Sequence, residues 1–219
     1  MRMRIGQIKT THRMVPVLLL VSFLSFGSVS TFAKEKRTVV FEDGWQRLKP
    51  TTGKKNTGNF TSFSLLGEPK QKPNRKWIGA WCNWTLNGSD GIYKRGVIIT
   101  AGKQENDDWL ISKEVDLSNC KKPVLDFEGY SKYGTNKDNH LFVLITTNYT
   151  GDVETTEWTE LDYESFHKFK FARQRRIDLK KYAGKRVRVA FRSTHRSKFL
   201  RNLTRTTCLS KVEIKAFKK

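Results

Sequence analysis

The chain has 219 residues and a formal net charge of +21, from 42 Lys and Arg against 21 Asp and Glu. This length allows one domain with a sizeable core, and the excess of positive charge favours an anionic partner over a cationic one. The three cysteines, Cys82, Cys120 and Cys208, match no zinc-binding spacing. They allow one disulfide in any of three pairings, and three unpaired thiols are an equal alternative.

The N-terminus has the features of a secretory signal peptide. Met1–Arg13 is basic without an acid, and it precedes the apolar run Met14–Phe26, whose 13 residues are too few for a comfortable transmembrane helix. Gly27–Ala33 then supplies the small residues of a cleavage site. We predict removal of residues 1–33 and a single exported domain, 34–219, that is secreted, periplasmic or on the cell surface. An uncleaved N-terminal anchor is the alternative.

Short apolar or alternating runs separated by turn formers predict β-strands along the rest of the chain. Each run is too short to be a packed helix, and together they indicate a β-sandwich of roughly eight to ten antiparallel strands. We expect a long loop or irregular hairpin over Arg47–Arg75 and a loop or one helical turn over Asp178–Gly184. The clearest predicted strands are Thr38–Phe41, Gly96–Ala101, Trp109–Val115, Val124–Phe127, Leu141–Thr146, Lys185–Arg192 and Lys211–Phe217.

The strongest compositional signal is a basic tract. Leu161–Arg201 contains 14 Lys or Arg and three acids. Within it the strand Lys185–Arg192 alternates, so Arg186, Arg188 and Arg192 share one face at spacings of about 7 Å or more. Guanidinium groups bind carboxylate, sulfate and phosphate bidentately. The tract therefore predicts a face for an anionic polymer, and a merely solvated cationic surface is the alternative.

Clustered tryptophans suggest a second kind of contact. Trp77, Trp81 and Trp84 lie within eight residues, and aromatic faces suit stacking on sugar rings. We retain Trp81 and Trp84 as candidate ligand-binding residues, although tryptophans are commonly core material in β-sandwiches. For Trp109 and Trp158 a place in the core is the better interpretation.

Several segments, in order, resemble a known family. The chain is similar to the choice-of-anchor J domain, a jelly-roll module of exported bacterial proteins related to cleaved adhesin domains. The resemblance implies a jelly-roll β-sandwich and a structural calcium near the first strand, with Glu42 and Asp43 as ligands; calcium prefers such carboxylate oxygens. The segments that carry it are FEDGW, WLISKEVDLS, PVLDFEGYSKYG, LFVLITTNYTGD, WTEL and IDLKKYAGKRVRVAFRST.

These observations predict a non-catalytic binding or adhesion module for an anionic glycan or cell-envelope polymer. The alternative is a small secreted carbohydrate-active hydrolase or lyase, which would need two carboxylates across a cleft. No nucleophile elbow or zinc-protease motif is present, so we predict that the protein is not an enzyme. Nucleic acid is a poor candidate partner, because no nucleic-acid-binding motif is present and the chain is predicted to be exported. A structural protein that its charge holds on an anionic envelope is a third hypothesis.

Overall fold

A computed structural model describes residues 36–43, 45, 57–66, 70–71, 77–78, 81–87, 93–100, 106–132, 141–163, 173–195 and 206–219. These residues lie within one compact unit, Glu35–Lys219. The predicted signal peptide, residues 1–33, lies outside the described residues. In the described ranges no helix is long and apolar enough to cross a membrane.

Strands dominate the described part of the chain, as the short apolar runs predict. A single 3-10 helix in these ranges, Lys180–Tyr182, matches the second of the two alternatives for Asp178–Gly184, a loop or one helical turn. The fourteen strands, in chain order, are β1 (Thr38–Asp43), β2 (Phe60–Ser64), β3 (Lys70–Gln71), β4 (Trp77–Ile78), β5 (Cys82–Asn87), β6 (Tyr93–Thr100), β7 (Asn106–Ser112), β8 (Val115–Asp116), β9 (Cys120–Lys132), β10 (Leu141–Thr146), β11 (Thr159–Glu160), β12 (Arg173–Asp178), β13 (Arg186–His195) and β14 (Thr206–Lys218).

Two six-stranded sheets form a jelly-roll β-sandwich. The first sheet has the order β12-β9-β14-β6-β5, with β1 beside the second half of β14. The second has the order β11-β10-β13-β7-β2, with β8 continuing beside β13. All pairings in both sheets are antiparallel. Ten strands have five or more residues, and the predicted fold class is confirmed.

The main core lies between the sheets, and it follows from the period-two alternation of the strands. Val187, Val189 and Phe191 point inward from β13, and Phe127 points inward from β9. The rings of Phe127 and Phe191 meet edge to face with centres 5.4 Å apart, which joins the two layers directly.

One strand contradicts the sequence-based prediction. We expected Arg47–Arg75 to be a loop or irregular hairpin, but Phe60–Ser64 is an edge strand paired with β7. Its two phenylalanines, Phe60 and Phe63, lie three positions apart and therefore face opposite sides of the sheet. Phe60 joins the main core and Phe63 packs on the outer side, so the segment lacks the apolar alternation that marks a strand.

Candidate functional site

The outer face of the second sheet carries a cluster of aromatic side chains. Trp109 packs there against Phe63 and Trp158, with ring centres 6.4 and 5.5 Å apart. Tyr149 extends the cluster, because its ring centre lies 6.0 Å from that of Trp158. Trp109 is buried and the other three are half-buried. Trp109 and Trp158 thus belong to a second apolar cluster outside the sandwich interior.

Arginines of β13 project onto this same outer face. The guanidinium of Arg188 lies 4.9 Å from the centre of the Tyr149 ring, and its Nη1 donates to the carbonyl of Ser112 at 2.9 Å. Arg186 is 68% exposed and lies 3.4 Å from a carboxylate oxygen of Glu114. An ion pair this exposed is weak. The guanidinium of Arg186 therefore remains open to an anion, and that of Arg188 has no carboxylate partner among the described residues.

Arg192 lies on the predicted face but is already bound. Its Nε and Nη2 donate to the two carboxylate oxygens of Asp107 at 2.8 and 2.5 Å. Its guanidinium also lies 4.9 Å from the centre of the Trp109 ring. The hydrogen bonds that Arg192 donates to Asp107 raise the pKa of Arg192. Arg192 holds Asp107 and Trp109 in place, and we exclude it from the residues offered to a ligand.

A groove of about 360 Å³ adjoins this face at the end of β10. Thr146, the last residue of β10, pairs directly with Arg188 in the sheet register, so the groove and the arginines are neighbours. We define the basic groove by its lining side chains. These are Ile145, Thr146, Thr147, Asn148, Glu157, Thr159, Lys181, Tyr182 and Lys185.

A tightly bonded turn positions the two lysines of the basic groove. Tyr182 donates its backbone N–H to Leu179, and Lys185 donates to Tyr182, at 2.8 and 3.2 Å. Leu117, fully buried, accepts from Gly184 and donates to Lys185, each at 2.9 Å. The turn is thereby fixed to the body of the domain. Lys181 and Lys185 are exposed and form no ion pair within the described part of the chain.

The tryptophan prediction is wrong for Trp81. Its side chain is 0% exposed, and its Nε1 donates to the carbonyl of Asp108 at 3.4 Å. A ring enclosed in the core cannot stack on a sugar. Trp84 lies on β5, but its side chain is outside the described residues, so its role stays a prediction.

The predicted calcium ligands are engaged in other bonds. Asp43 is 7% exposed, and its Oδ1 and Oδ2 accept backbone N–H groups from Trp45 and Asn59 at 3.2 and 2.5 Å. Glu42 lies 3.6 Å from the Nζ of Lys211. No group of three or more acidic, His or Cys side chains that could hold a metal occurs among the described residues. Calcium binding at Glu42 and Asp43 stays a prediction.

Sequence reasoning missed the residues that shape the basic groove. Lys181 and Lys185 were visible only as members of a basic tract, because nothing in the sequence shows that their turn lies beside the end of β10. No motif marked Glu157 or Tyr149, which the structure places in the groove and against Arg188.

No protein-family model matches the chain and no curated protein matches it, so the resemblance to choice-of-anchor J domains stays a prediction. Three solved structures are similar to it in fold. The K2 cleaved adhesin domain of Lys-gingipain is 17% identical, with 82% of this chain and 98% of that chain covered and a TM-score of 0.49. The K1 cleaved adhesin domain of Lys-gingipain from Porphyromonas gingivalis W83 is 17% identical, with 80% and 97% covered and a TM-score of 0.41. TmCBM61 in complex with beta-1,4-galactotriose is 11% identical, with 75% and 92% covered and a TM-score of 0.42. At these identities and TM-scores the comparisons assign this chain neither a family nor a ligand.

Proposed function

We propose that the protein is an exported, non-catalytic binding or adhesion module for an anionic glycan or cell-surface polymer. One observation carries the proposal. Lys181, Lys185 and Arg188 lie at one end of the second sheet and have no carboxylate partner among the described residues. Arg186 adds a mostly exposed guanidinium beside them. A cluster of uncompensated cations raises the local concentration of a polyanion and binds it in a salt-dependent way.

On the first sheet, several cations are instead paired with carboxylates. On its outer face Lys215 bridges Asp126 and Glu213 at 3.3 and 2.7 Å, and Lys211 lies 2.6 Å from Glu213. Arg176 lies 3.3 Å from Asp126. Cations there are matched by buried carboxylates. These paired cations differ from Lys181 and Lys185 of the basic groove, which have no carboxylate partner among the described residues.

The acid content of the basic groove supports binding over hydrolysis. Glu157 is the one carboxylate among the described side chains that line it. Glycoside hydrolysis ordinarily needs two carboxyl groups on either side of the scissile bond.

Binding of polygalacturonate and heparin, measured by titration calorimetry at about 50 and 200 mM salt, tests the proposal. We expect binding that weakens strongly between the two salt concentrations. The double variant R186Q/R188Q should lower the affinity about tenfold or more and reduce the salt dependence, because two cationic contacts are removed.

Lys121 and Lys122 supply the matched control. Both are exposed and lie at the start of β9 in the other sheet, so K121Q/K122Q removes the same charge from a different surface. It should bind nearly as wild type does. Equal losses in the two double variants would show general stickiness, and the absence of binding to either polymer would overturn the proposed function.

A further inference from the structure

Glu157 gives the basic groove a feature that a simple polyanion site would lack. We propose that the groove binds a uronic acid residue, with Lys181 and Lys185 on its carboxylate and Glu157 on its hydroxyl groups. This inference rests on the proposed function and names the ligand class of the same site. It predicts selection of a sugar with one negative charge and several hydroxyls over a densely sulfated chain.

Glu157 contributes a carboxylate to the basic groove. Its side chain is exposed in the groove and forms no ion pair with any described cation, although Lys181 and Lys185 line the same groove from another segment. A free carboxylate accepts hydrogen bonds and donates none at neutral pH. A sugar hydroxyl can donate to it, whereas a sulfate group cannot and is repelled. Glu157 therefore acts as a selective element against high anion density.

The remaining lining suits a hydroxyl-rich ring. Thr147, Asn148 and Thr159 are exposed and carry groups that both donate and accept. The volume of about 360 Å³ is near the lower end of the range for small-molecule sites, roughly 300–1,000 Å³. The groove thus fits a short stretch of a sugar chain held by one charge contact and several neutral hydrogen bonds.

Packing holds these groups in place before a ligand arrives. Glu157 directly precedes Trp158, whose ring packs on Trp109, and Asn148 directly precedes Tyr149, which lies under Arg188. The backbone N–H of Asn148 also donates to the hydroxyl of Thr146 at 3.1 Å. Ordering a site in advance reduces the entropic cost of binding. The outer aromatic cluster thereby helps to order the groove, even where it does not contact the ligand.

Three probes of similar size test the inference by titration calorimetry on the full mature chain. They are trigalacturonate, its carboxyl-reduced neutral counterpart and a sulfated heparin oligosaccharide. We expect wild type to bind trigalacturonate at least about tenfold more tightly than the neutral trimer, since charge-assisted hydrogen bonds are lost on reduction. K181Q/K185Q should remove this preference.

The variant Glu157→Gln tests whether Glu157 accepts hydrogen bonds from the sugar or only repels anions. It should weaken trigalacturonate binding by about tenfold, because an ionised acceptor is replaced by a neutral amide, and strengthen heparin binding, because a repulsive charge is removed. Tighter binding of trigalacturonate by E157Q would overturn the inference, since Glu157 would then only repel. So would equal wild-type affinity for the charged and neutral trimers.

The two proposals fail separately. If wild type binds heparin in a salt-dependent way but shows no preference for uronate, the uronate inference is wrong and the proposed function stands. If it binds no anionic polymer, both are wrong. The side chains of Glu157, Lys181 and Lys185 are exposed, and an unchanged melting temperature of their variants confirms that the groove and not the fold has changed.

Discussion

Asp107 and Asp108 are neighbours on β7 with opposite environments. Asp107 points outward and is held by Arg192 through two hydrogen bonds. Asp108 points inward, is 0% exposed and accepts a hydrogen bond from Asn106 at 2.5 Å. Its Oδ1 has no hydrogen-bond partner. Burial raises the pKa of Asp108 to about 6, outweighing the hydrogen bonds from Asn106 and Ser64.

We predict that the buried Asp108 makes the free energy of unfolding fall as the pH rises, and that D108N removes this dependence. The ordinary pKa of 3.8 describes the unfolded chain, so between pH 4 and pH 6 the folded state holds a proton that the unfolded state has released. The contribution of Asp108 to the free energy of unfolding is therefore fully present below pH 4 and declines as the pH rises to about 6. Relative to D108N, wild type should lose on the order of 2–3 kcal/mol over this range.

Urea unfolding of both proteins at several pH values measures this difference. D116N is the contrasting control, because hydrogen bonds from Ser118 lower the pKa of exposed Asp116. The difference in unfolding free energy between wild type and D116N should therefore change with pH in the opposite direction. A flat difference between wild type and D108N from pH 4 to pH 7 would contradict the prediction.

Single residues also show where sequence reasoning succeeds and stops. Alternation correctly placed Arg186 and Arg188 on one face, because it is a property of the strand itself. Alternation could not show that Arg192 is hydrogen-bonded to Asp107, since that contact depends on the pairing of β7 with β13. The prediction that Trp81 binds a ligand is wrong for the same reason. Burial of an aromatic ring is decided by what packs over it, which one strand does not reveal.

At the scale of elements, Asp43 joins strands of different sheets. It ends β1 in the first sheet, and its carboxylate accepts the backbone N–H of Asn59, just before β2 in the second. Gly58 makes this approach feasible. It has φ +68°, and a Cβ there would lie within 2.8 Å of both carboxylate oxygens of Asp43. The connection depends on a glycine at this position.

Gly58→Ala should therefore cost about 2–4 kcal/mol of unfolding free energy, from backbone strain plus displacement of the Asp43 carboxylate. Gly151→Ala is the matched control. Gly151 has φ +97° but no atom within 4 Å of an added Cβ, so only the strain of about 1 kcal/mol applies. Thermal and urea unfolding of both variants measure the two costs. Equal destabilisation would show that the contact with Asp43 contributes nothing.

Sequence analysis located elements well where one face alone is apolar. Leu141–Thr146 was predicted with its observed bounds, and the strand over Lys185–Arg192 was predicted within three residues of its end. The predicted strand Val124–Phe127 covers only the middle of β9. The thirteen residues of β9 include polar ends that pair with β14. Strand length there is set by the partner strand.

At the scale of the whole molecule, the two sheets differ in whether acidic residues accompany their cations. In β14 the cations Lys211 and Lys215 flank Glu213 at period two, so they share a face with it. Burial alone would raise the pKa of Glu213, but hydrogen bonds from both lysines outweigh it and lower that pKa. β13 alternates with arginine and no acid. This contrast can be read from the sequence, whereas the position of the turn that carries Lys181 and Lys185 beside the end of β10 is a consequence of folding.

Among the described residues, Cys120 and Cys208 are buried thiols that form no disulfide. The register agrees, because Cys82 and Cys208 both pair with Ile98 from opposite sides. Two strand spacings separate them by roughly 9–10 Å, beyond the reach of a disulfide. Burial raises the pKa of the Cys120 thiol, which keeps it unreactive.

We therefore expect the melting temperature to be the same with and without a reducing agent. A disulfide would contribute about 2–4 kcal/mol by restricting the unfolded chain, so its reduction would lower the midpoint by several degrees. Alkylation of the denatured, unreduced protein should label all three cysteines, as intact mass spectrometry would show. A lower midpoint under reduction, or two cysteines that resist alkylation until reduced, would contradict the predicted free thiols. The stability of the sandwich then rests on its packed core and the links between its sheets.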